Sequence, residues 1–196
     1  TDVTFGFHSA VDSASNVVSS LHSTAESHNR IMVCEIMGNK AGWLTLYSGI
    51  AGGADVILLP EIPYDINKVC EAIQKRMDNK KYFSIIAVAE GTITQEEAKL
   101  PKKELKKLKL ETTTPIGERL ANTIMEMTGL ETRACIPGHM LRGGSPSAYD
   151  RFLATQFGTY AAQLIHEKDF GKTVAIKDGK LTANKLVDIA GIKKVI

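Results

Sequence analysis

The chain has 196 residues, enough for one domain, or a large part of two, with a sizeable core. Apolar residues make up 43% and charged residues 23%, a soluble globular balance, and a net charge of only +2 gives no case for nucleic acid or another polyanion as partner. No apolar run approaches membrane-spanning length and no secretory signal opens the chain, so the expectation is a soluble cytoplasmic protein without a membrane partner.

The first residue is Thr1, and no strand of its own opens the chain, so a longer protein is expected upstream. Val11, Ala14, Val17, Val18 and Leu21 recur at helical spacing, which predicts an amphipathic helix from about Ser9 to Ala25. Ser27 to Arg30 breaks that pattern, and Ile31 to Met37 reads as a short strand ended by Gly38. Gly42 to Gly53 is small and apolar, like a helix packed closely on a sheet. Asp55 to Leu59 is a further apolar strand that stops at Pro60. Asp65 caps the next helix, with Val69, Ala72, Ile73 and Arg76 following, and Tyr82 to Ala89 is a strand ended by Glu90-Gly91.

Gln95 to Leu110 is rich in Lys and Glu with a central proline, and reads as a solvated helical excursion; phosphate binding there is a less specific reading. Pro115 to Met127 is a helix with Ile116, Leu120, Ile124 and Met127 on one side. Glu131 to Pro137 is a strand, and Ser147 to His166 a long helix capped by Ser145 or Ser147. Thr173 to Lys177 is a short strand, Asp178-Gly179 a turn, and Thr182 to Ala190 a last helix. The three cysteines, Cys34, Cys70 and Cys135, form an odd, unclustered set that reads as buried thiols in a reducing compartment, and no Cys or His pair has metal-ligand spacing.

Strands alternate with helices, and the strands are nearly continuous Val, Ile and Leu. That pattern predicts an α/β fold: a mostly parallel sheet in Rossmann-like layers, with helices on both faces. Ligands in such sheets bind beyond the carboxyl ends of the strands. Four strand ends carry chemistry: Met37-Gly38-Asn39-Lys40, Pro60-Glu61, Glu90-Gly91, and Pro137-Gly138-His139 with Arg142 three residues on. Glu90 has the acceptors for sugar hydroxyls, while His139 and Arg142 suit a phosphate, Arg by its planar fork. Each has a plainer reading, Glu90 as a helix cap, His139 as a satisfied polar group and Gly143-Gly144 as a turn. Arg30 and Arg133 stand at strand beginnings, on the opposite edge, where a neighbouring subunit's anion could meet them.

Taken together, Thr4-Phe5-Gly6-Phe7, Arg30 through Gly38, Ala51 to Asp55, Glu131-Thr132-Arg133 and Gly138 to Pro146 resemble, in order, the carboxyl-terminal half of 6-phosphofructokinases. The match covers nearly the whole chain. It implies a phosphofructokinase-like fold and phosphoryl transfer to the 1-hydroxyl of fructose 6-phosphate, a step of glycolysis. By resemblance, Met37 and Gly38 lie along the sugar, Glu90 binds its hydroxyls, His139 and Arg142 hold its phosphate, and Arg30 and Arg133 reach that phosphate from the adjacent subunit. The resemblance therefore implies a homo-oligomer, a dimer or tetramer, with shared sites.

The sequence also departs from the family. Asn39, followed by Lys40, stands where an Arg commonly helps neutralise the transferring phosphoryl group, so these two are the possible neutralisers. The basic stretch around Lys102 to Lys109 is longer than in simple bacterial members, and Ala41-Gly42-Trp43-Leu44 resembles the branch that mixes ATP-dependent and pyrophosphate-dependent enzymes and often lacks allosteric regulation. The glycine-rich donor loop and the segment with the catalytic Asp precede this block in the family. The expectation is thus that residues 1–196 are the substrate-binding portion, that no catalytic or metal-binding residue lies here, and that Mg2+ and ATP (or pyrophosphate) are held mainly by the preceding part. A non-catalytic sugar-phosphate-binding subunit, and a kinase of another sugar phosphate, are the alternatives.

Overall fold

Hydrophobic runs as continuous as Ile85-Ile86-Ala87-Val88-Ala89 have apolar side chains on both faces, so they form stable strands only when both faces are covered. The computed structural model, which describes residues 1–192, has that arrangement. Helix α1 (Phe7–His28) is followed by β1 (Ile31–Ile36), α2 (Trp43–Ala51), β2 (Val56–Leu58), α3 (Ile66–Asp78) and β3 (Ser84–Ala89). Next come α4 (Gln95–Ala98), α5 (Lys102–Glu111), α6 (Ile116–Thr128), β4 (Thr132–Cys135) and a 3-10 turn at Gly138–Arg142. The chain then runs through α7 (Ala148–His166), β5 (Lys172–Lys177), β6 (Lys180–Lys185) and α8 (Leu186–Ile189). Its described residues divide into two compact units, Val11–Gly143, and Thr1–Ala10 with residues 144–192.

In the larger unit the four strands are parallel in the order β2-β3-β1-β4. Ile31, Val33, Leu58, Ile86 and Val88 point to one face, where Val69 and Ile73 of α3 and Ile116, Leu120 and Ile124 of α6 cover them. Met32, Cys34, Ile36, Ile85 and Ala87 point to the other, against Ala14, Val18, Leu21 and Ala25 of α1. Each large side chain buried in these layers contributes about 1.5–3 kcal/mol relative to exposure. Helix α2 comes close to the sheet because its face is small: a Cβ on Gly49 would stand 2.9 Å from the Ile57 side chain. Asp65 caps α3 by accepting from Asn67 N at 2.9 Å. At the amino edge of the sheet, Asp55 pairs with Arg76 at 2.8 Å and accepts from Ile85 N at 2.9 Å, tying α3 to β3.

The excursion between β3 and α6 is two helices divided at Pro101, and neither α4 nor α5 buries a residue. Thr94 and Glu97 form a reciprocal capping box at the start of α4.

In the smaller unit, Ser147 caps α7, accepting from Asp150 N at 3.2 Å. The buried Asp150 carboxylate in turn accepts from Ser9 N at 2.7 Å and from the Ser9 hydroxyl. Phe5 meets Phe157 edge-on at 5.8 Å, and Asp2 N donates to Ile176 O at 2.8 Å. Strands β5 and β6 form an antiparallel hairpin.

That hairpin corrects the sequence reading of Thr182 to Ala190 as a helix. Thr182, Ala183 and Asn184 pair with Ala175, Val174 and Thr173, and only Leu186–Ile189 is helical. The reason is the turn: Asp178 and Gly179 both have positive φ, 51° and 73°, the two-residue turn whose twist folds the following residues back onto β5. The other predicted elements are present, with ends shifted by a few residues. No helix among the described residues is long and apolar enough to cross a membrane.

Candidate functional site

The carboxyl ends of β3, β1 and β4 lie side by side, because these strands are neighbours in the sheet. Ile36 of β1 stands opposite Ala89 of β3, so Met37 and Glu90 leave the sheet together. The crossing is tied by backbone hydrogen bonds, Glu90 N to Ile36 O at 2.9 Å and Gly91 N to Gly38 O at 3.2 Å. Gly91 has no room for a side chain, since a Cβ there would overlap the Asn39 carbonyl oxygen.

Beyond these ends opens a cavity of about 230 Å³. Asn39 and Glu90 line it, and so do Glu35, Glu97, Lys109 and Arg119. Glu35 Oε2 accepts from Gly117 N at 2.7 Å, in the first turn of α6. Burial pushes the Glu35 carboxyl above the ordinary glutamate value; the Gly117 N–H opposes this, the negative charges of Glu90 and Glu118 reinforce it, and Arg119 opposes it. Arg119 lies 3.4 Å from Glu97, and Lys109 Nζ donates to Gly91 O at 3.3 Å. The excursion is therefore more than a solvated flap: α5 supplies a wall of the cavity through Lys109 and Leu108.

Glu35, Lys109 and Arg119 were missed in the sequence. Glu35 alone had a signal, as the one charge within the apolar run of β1. Nothing in the Lys-rich run distinguished Lys109 from its neighbours.

The remaining predicted residues lie outside the cavity lining. Met37 packs against the α1 face of the core, Gly38 sits at the crossing, and Lys40 is exposed. His139 and Arg142 project from the 3-10 turn after β4, both exposed, while Leu141 between them is buried and anchors the turn. Arg30 and Arg133 are at the opposite edge, as their strand-start positions required. Glu131 joins them, 2.9 Å from Arg30 Nε and 2.9 Å from an Arg133 guanidinium nitrogen. The bond to Arg30, assisted by Arg133, holds the Glu131 carboxyl below the ordinary range. The cysteines also differ from the unclustered set expected: Cys34 of β1 stands opposite Cys135 of β4.

The family described as phosphofructokinase matches residues 1–165. The chain belongs to the phosphofructokinase family. An ATP-dependent 6-phosphofructokinase of Spirochaeta thermophila is 52% identical over 197 residues, covering all of this chain and 54% of that relative. A pyrophosphate–fructose 6-phosphate 1-phosphotransferase of Streptomyces coelicolor is 46% identical over 178 residues, covering 90% of this chain and 52% of the relative. The chain thus spans about half the length of the curated phosphofructokinases it matches. Among solved structures, phosphofructokinase from Saccharomyces cerevisiae superposes with a TM-score of 0.80 at 31% identity, over 95% of this chain and 23% of that one. The parallel sheet with helices on both faces is accordingly the phosphofructokinase fold.

Proposed function

We propose that this chain forms the acceptor-sugar part of a 6-phosphofructokinase, an enzyme that transfers a phosphoryl group to the 1-hydroxyl of fructose 6-phosphate and yields fructose 1,6-bisphosphate. The observation that carries the reading is the meeting of three chemically distinct segments at the ends of adjacent strands: Met37–Asn39 after β1, Glu90-Gly91 after β3 and Gly138–Arg142 after β4. In this reading Glu90 accepts hydrogen bonds from sugar hydroxyls, with Met37 and Gly38 along the ring. His139 and Arg142 bind the 6-phosphate. The exposure of both side chains suits a ligand that arrives from solvent.

Arg30 and Arg133 have a different task. Held together by Glu131 at the amino edge, they make one cationic unit for an adjacent copy's sugar phosphate; on this reading the working enzyme is a homo-oligomer, and as a glycolytic enzyme it acts in the cytoplasm. The donor, ATP, and Mg2+ supply the transferable group and the neutralisation of its charge. Among the described residues no group of three His, Cys, Asp or Glu side chains is arranged to hold a metal ion. By resemblance, the reading assigns Mg2+ and the catalytic Asp to the part of the enzyme that precedes this block in the family. From this chain, Asn39 and Lys40 stand where the family commonly carries an Arg that helps neutralise the transferred group, and the reading gives them that task.

A second reading changes only the donor, pyrophosphate for ATP. The Streptomyces coelicolor relative, at 46% identity, favours keeping it.

The test is calorimetric titration of the full-length protein with fructose 6-phosphate, followed by turnover assays with ATP and with pyrophosphate. Saturable binding with turnover on one donor supports the reading and selects the donor. A folded full-length protein that does not bind fructose 6-phosphate overturns it.

A further inference from the structure

We infer that Cys34 and Cys135 form a dithiol site that peroxides convert to a disulfide joining β1 to β4. The two cysteines are opposite residues in the parallel pairing of these strands, with side chains on the same face of the sheet. Adjacent strands lie about 4.7–4.9 Å apart, inside the Cα separation of roughly 4.4–6.8 Å that a disulfide spans. Both are free thiols; Cys34 is fully buried and Cys135 half-buried. A small oxidant thus has access to Cys135, while Cys34 waits beside it with no other route to solvent.

The electrostatics divide the roles in the same way. The neighbouring Cys34 thiol holds Cys135 below the ordinary thiol value, against the opposing effect of burial. The Cys135 thiol and burial push Cys34 up, so it keeps its proton. The thiolate is the nucleophile that meets peroxide, which places the first step on Cys135, and Cys34 gives up its proton only as its sulfur attacks the oxidised Cys135. Cys70, on α3, has no such neighbour, and burial raises it.

The steps balance. The Cys135 thiolate attacks one oxygen of hydrogen peroxide, the O–O bond breaks, and with one proton Cys135 becomes a sulfenic acid and the other oxygen leaves as water. The Cys34 sulfur then displaces the sulfenic hydroxyl, which leaves as a second water with the Cys34 proton. Two thiols are oxidised by two electrons and one peroxide is reduced to two waters. A bridge between directly opposed strand residues draws the side chains closer than the pleat holds them, so it is expected to be readily reduced. Met37 and Gly138 each lie three residues past a bridged cysteine. Oxidation should therefore displace both strand ends and weaken fructose 6-phosphate binding; this consequence rests on the acceptor reading, whereas the cross-link does not.

The experiment is peroxide treatment of the full-length protein, alkylation, digestion and mass spectrometry. The expected product is a Cys34–Cys135 linked peptide pair, two hydrogens lighter than the free peptides and released by dithiothreitol, with Cys70 alkylated as before. In Cys34→Ser the cross-link should vanish and Cys135 should advance to sulfinic acid. In Cys135→Ser, a second variant should the first not fold, Cys34 should stay reduced. Wild-type Cys34 and Cys135 alkylated as fully as Cys70, or Cys135 overoxidised without a cross-link, would overturn the proposal. Parallel titrations with fructose 6-phosphate should show several-fold weaker binding after cross-linking. Equal affinity would remove the link to the acceptor site alone, and absence of binding in the reduced protein would count against the acceptor reading instead.

Discussion

The carbonyl oxygen of Asn39 occupies the space in which a Cβ on Gly91 would stand. The exits of β1 and β3 are thereby locked across one another, and the Gly91 N bond to Gly38 O fastens the crossing. Asn39 and Glu90, which both line the cavity, leave their strands at this crossing. Gly91→Ala must push the Asn39 peptide away. The expected cost is about 1–3 kcal/mol of stability, as for other overpacked sites, together with weaker fructose 6-phosphate binding. Thermal unfolding and titration check both. An alanine variant with wild-type melting and affinity would show that the two exits are not locked.

Arg142→Ala should weaken fructose 6-phosphate binding by about 1.5–3 kcal/mol, the scale of a hydrogen bond to a charged group. Unaltered affinity in a folded variant would remove Arg142 from the site. Because Arg133 lies at the other edge of the sheet, Arg133→Ala and Arg142→Ala subunits should complement each other. Hybrids assembled from the two weakened variants are expected to regain some high-affinity, active sites. Hybrids no more active than their parents would argue that each site is built within one chain.

Glu35 predicts a pH dependence. Its folded-state value is raised, so the fold binds its proton more tightly than the unfolded chain does. The stabilisation is full below the unfolded value of about 4.3 and is lost as pH rises through the folded value. Glu35→Gln imitates the protonated form and keeps an oxygen to accept from Gly117 N. The variant should therefore gain on wild type as pH rises from about 4 toward neutrality. Melting curves of the two proteins that run parallel over that interval would contradict this.

Asp150 has the opposite sign. Burial raises its value, but the Ser9 hydroxyl, the Ser9 and Gly6 amides and the Ser147 hydroxyl outweigh it and hold it below the ordinary aspartate value. Its contribution is present above the unfolded value of about 3.9 and lost as pH falls through the folded value. Asp150→Asn should cost about 1–3 kcal/mol at neutral pH and flatten the acid limb of the stability profile. A variant that loses stability in acid as steeply as wild type would assign that limb to other groups.

Local pattern was enough for every strand but β6, for most helices and for the Asp65 cap, and it left Ser145 and Ser147 both open as the cap of α7, which the structure gives to Ser147. Those features depend on periodicity, on which residues resist burial and on short-range hydrogen bonds, all of which a linear sequence displays. The strand ends were legible for the same reason, since a glycine, a histidine and an arginine after an apolar run have little packing use. The hairpin was not: residues 182–190 carry a helix-like spacing, and the twist of the Asp178-Gly179 turn overrode it by offering β5 as a partner. Pairing and register decided the rest. Glu35, Lys109 and Arg119 share a cavity with Glu90 because β1 lies beside β3 and the excursion returns over Gly91. Cys34 meets Cys135 because β4 pairs with β1 and not with β3. Such neighbours are chosen by the burial of whole faces, a collective property of all the strands and helices, and no residue reports it alone.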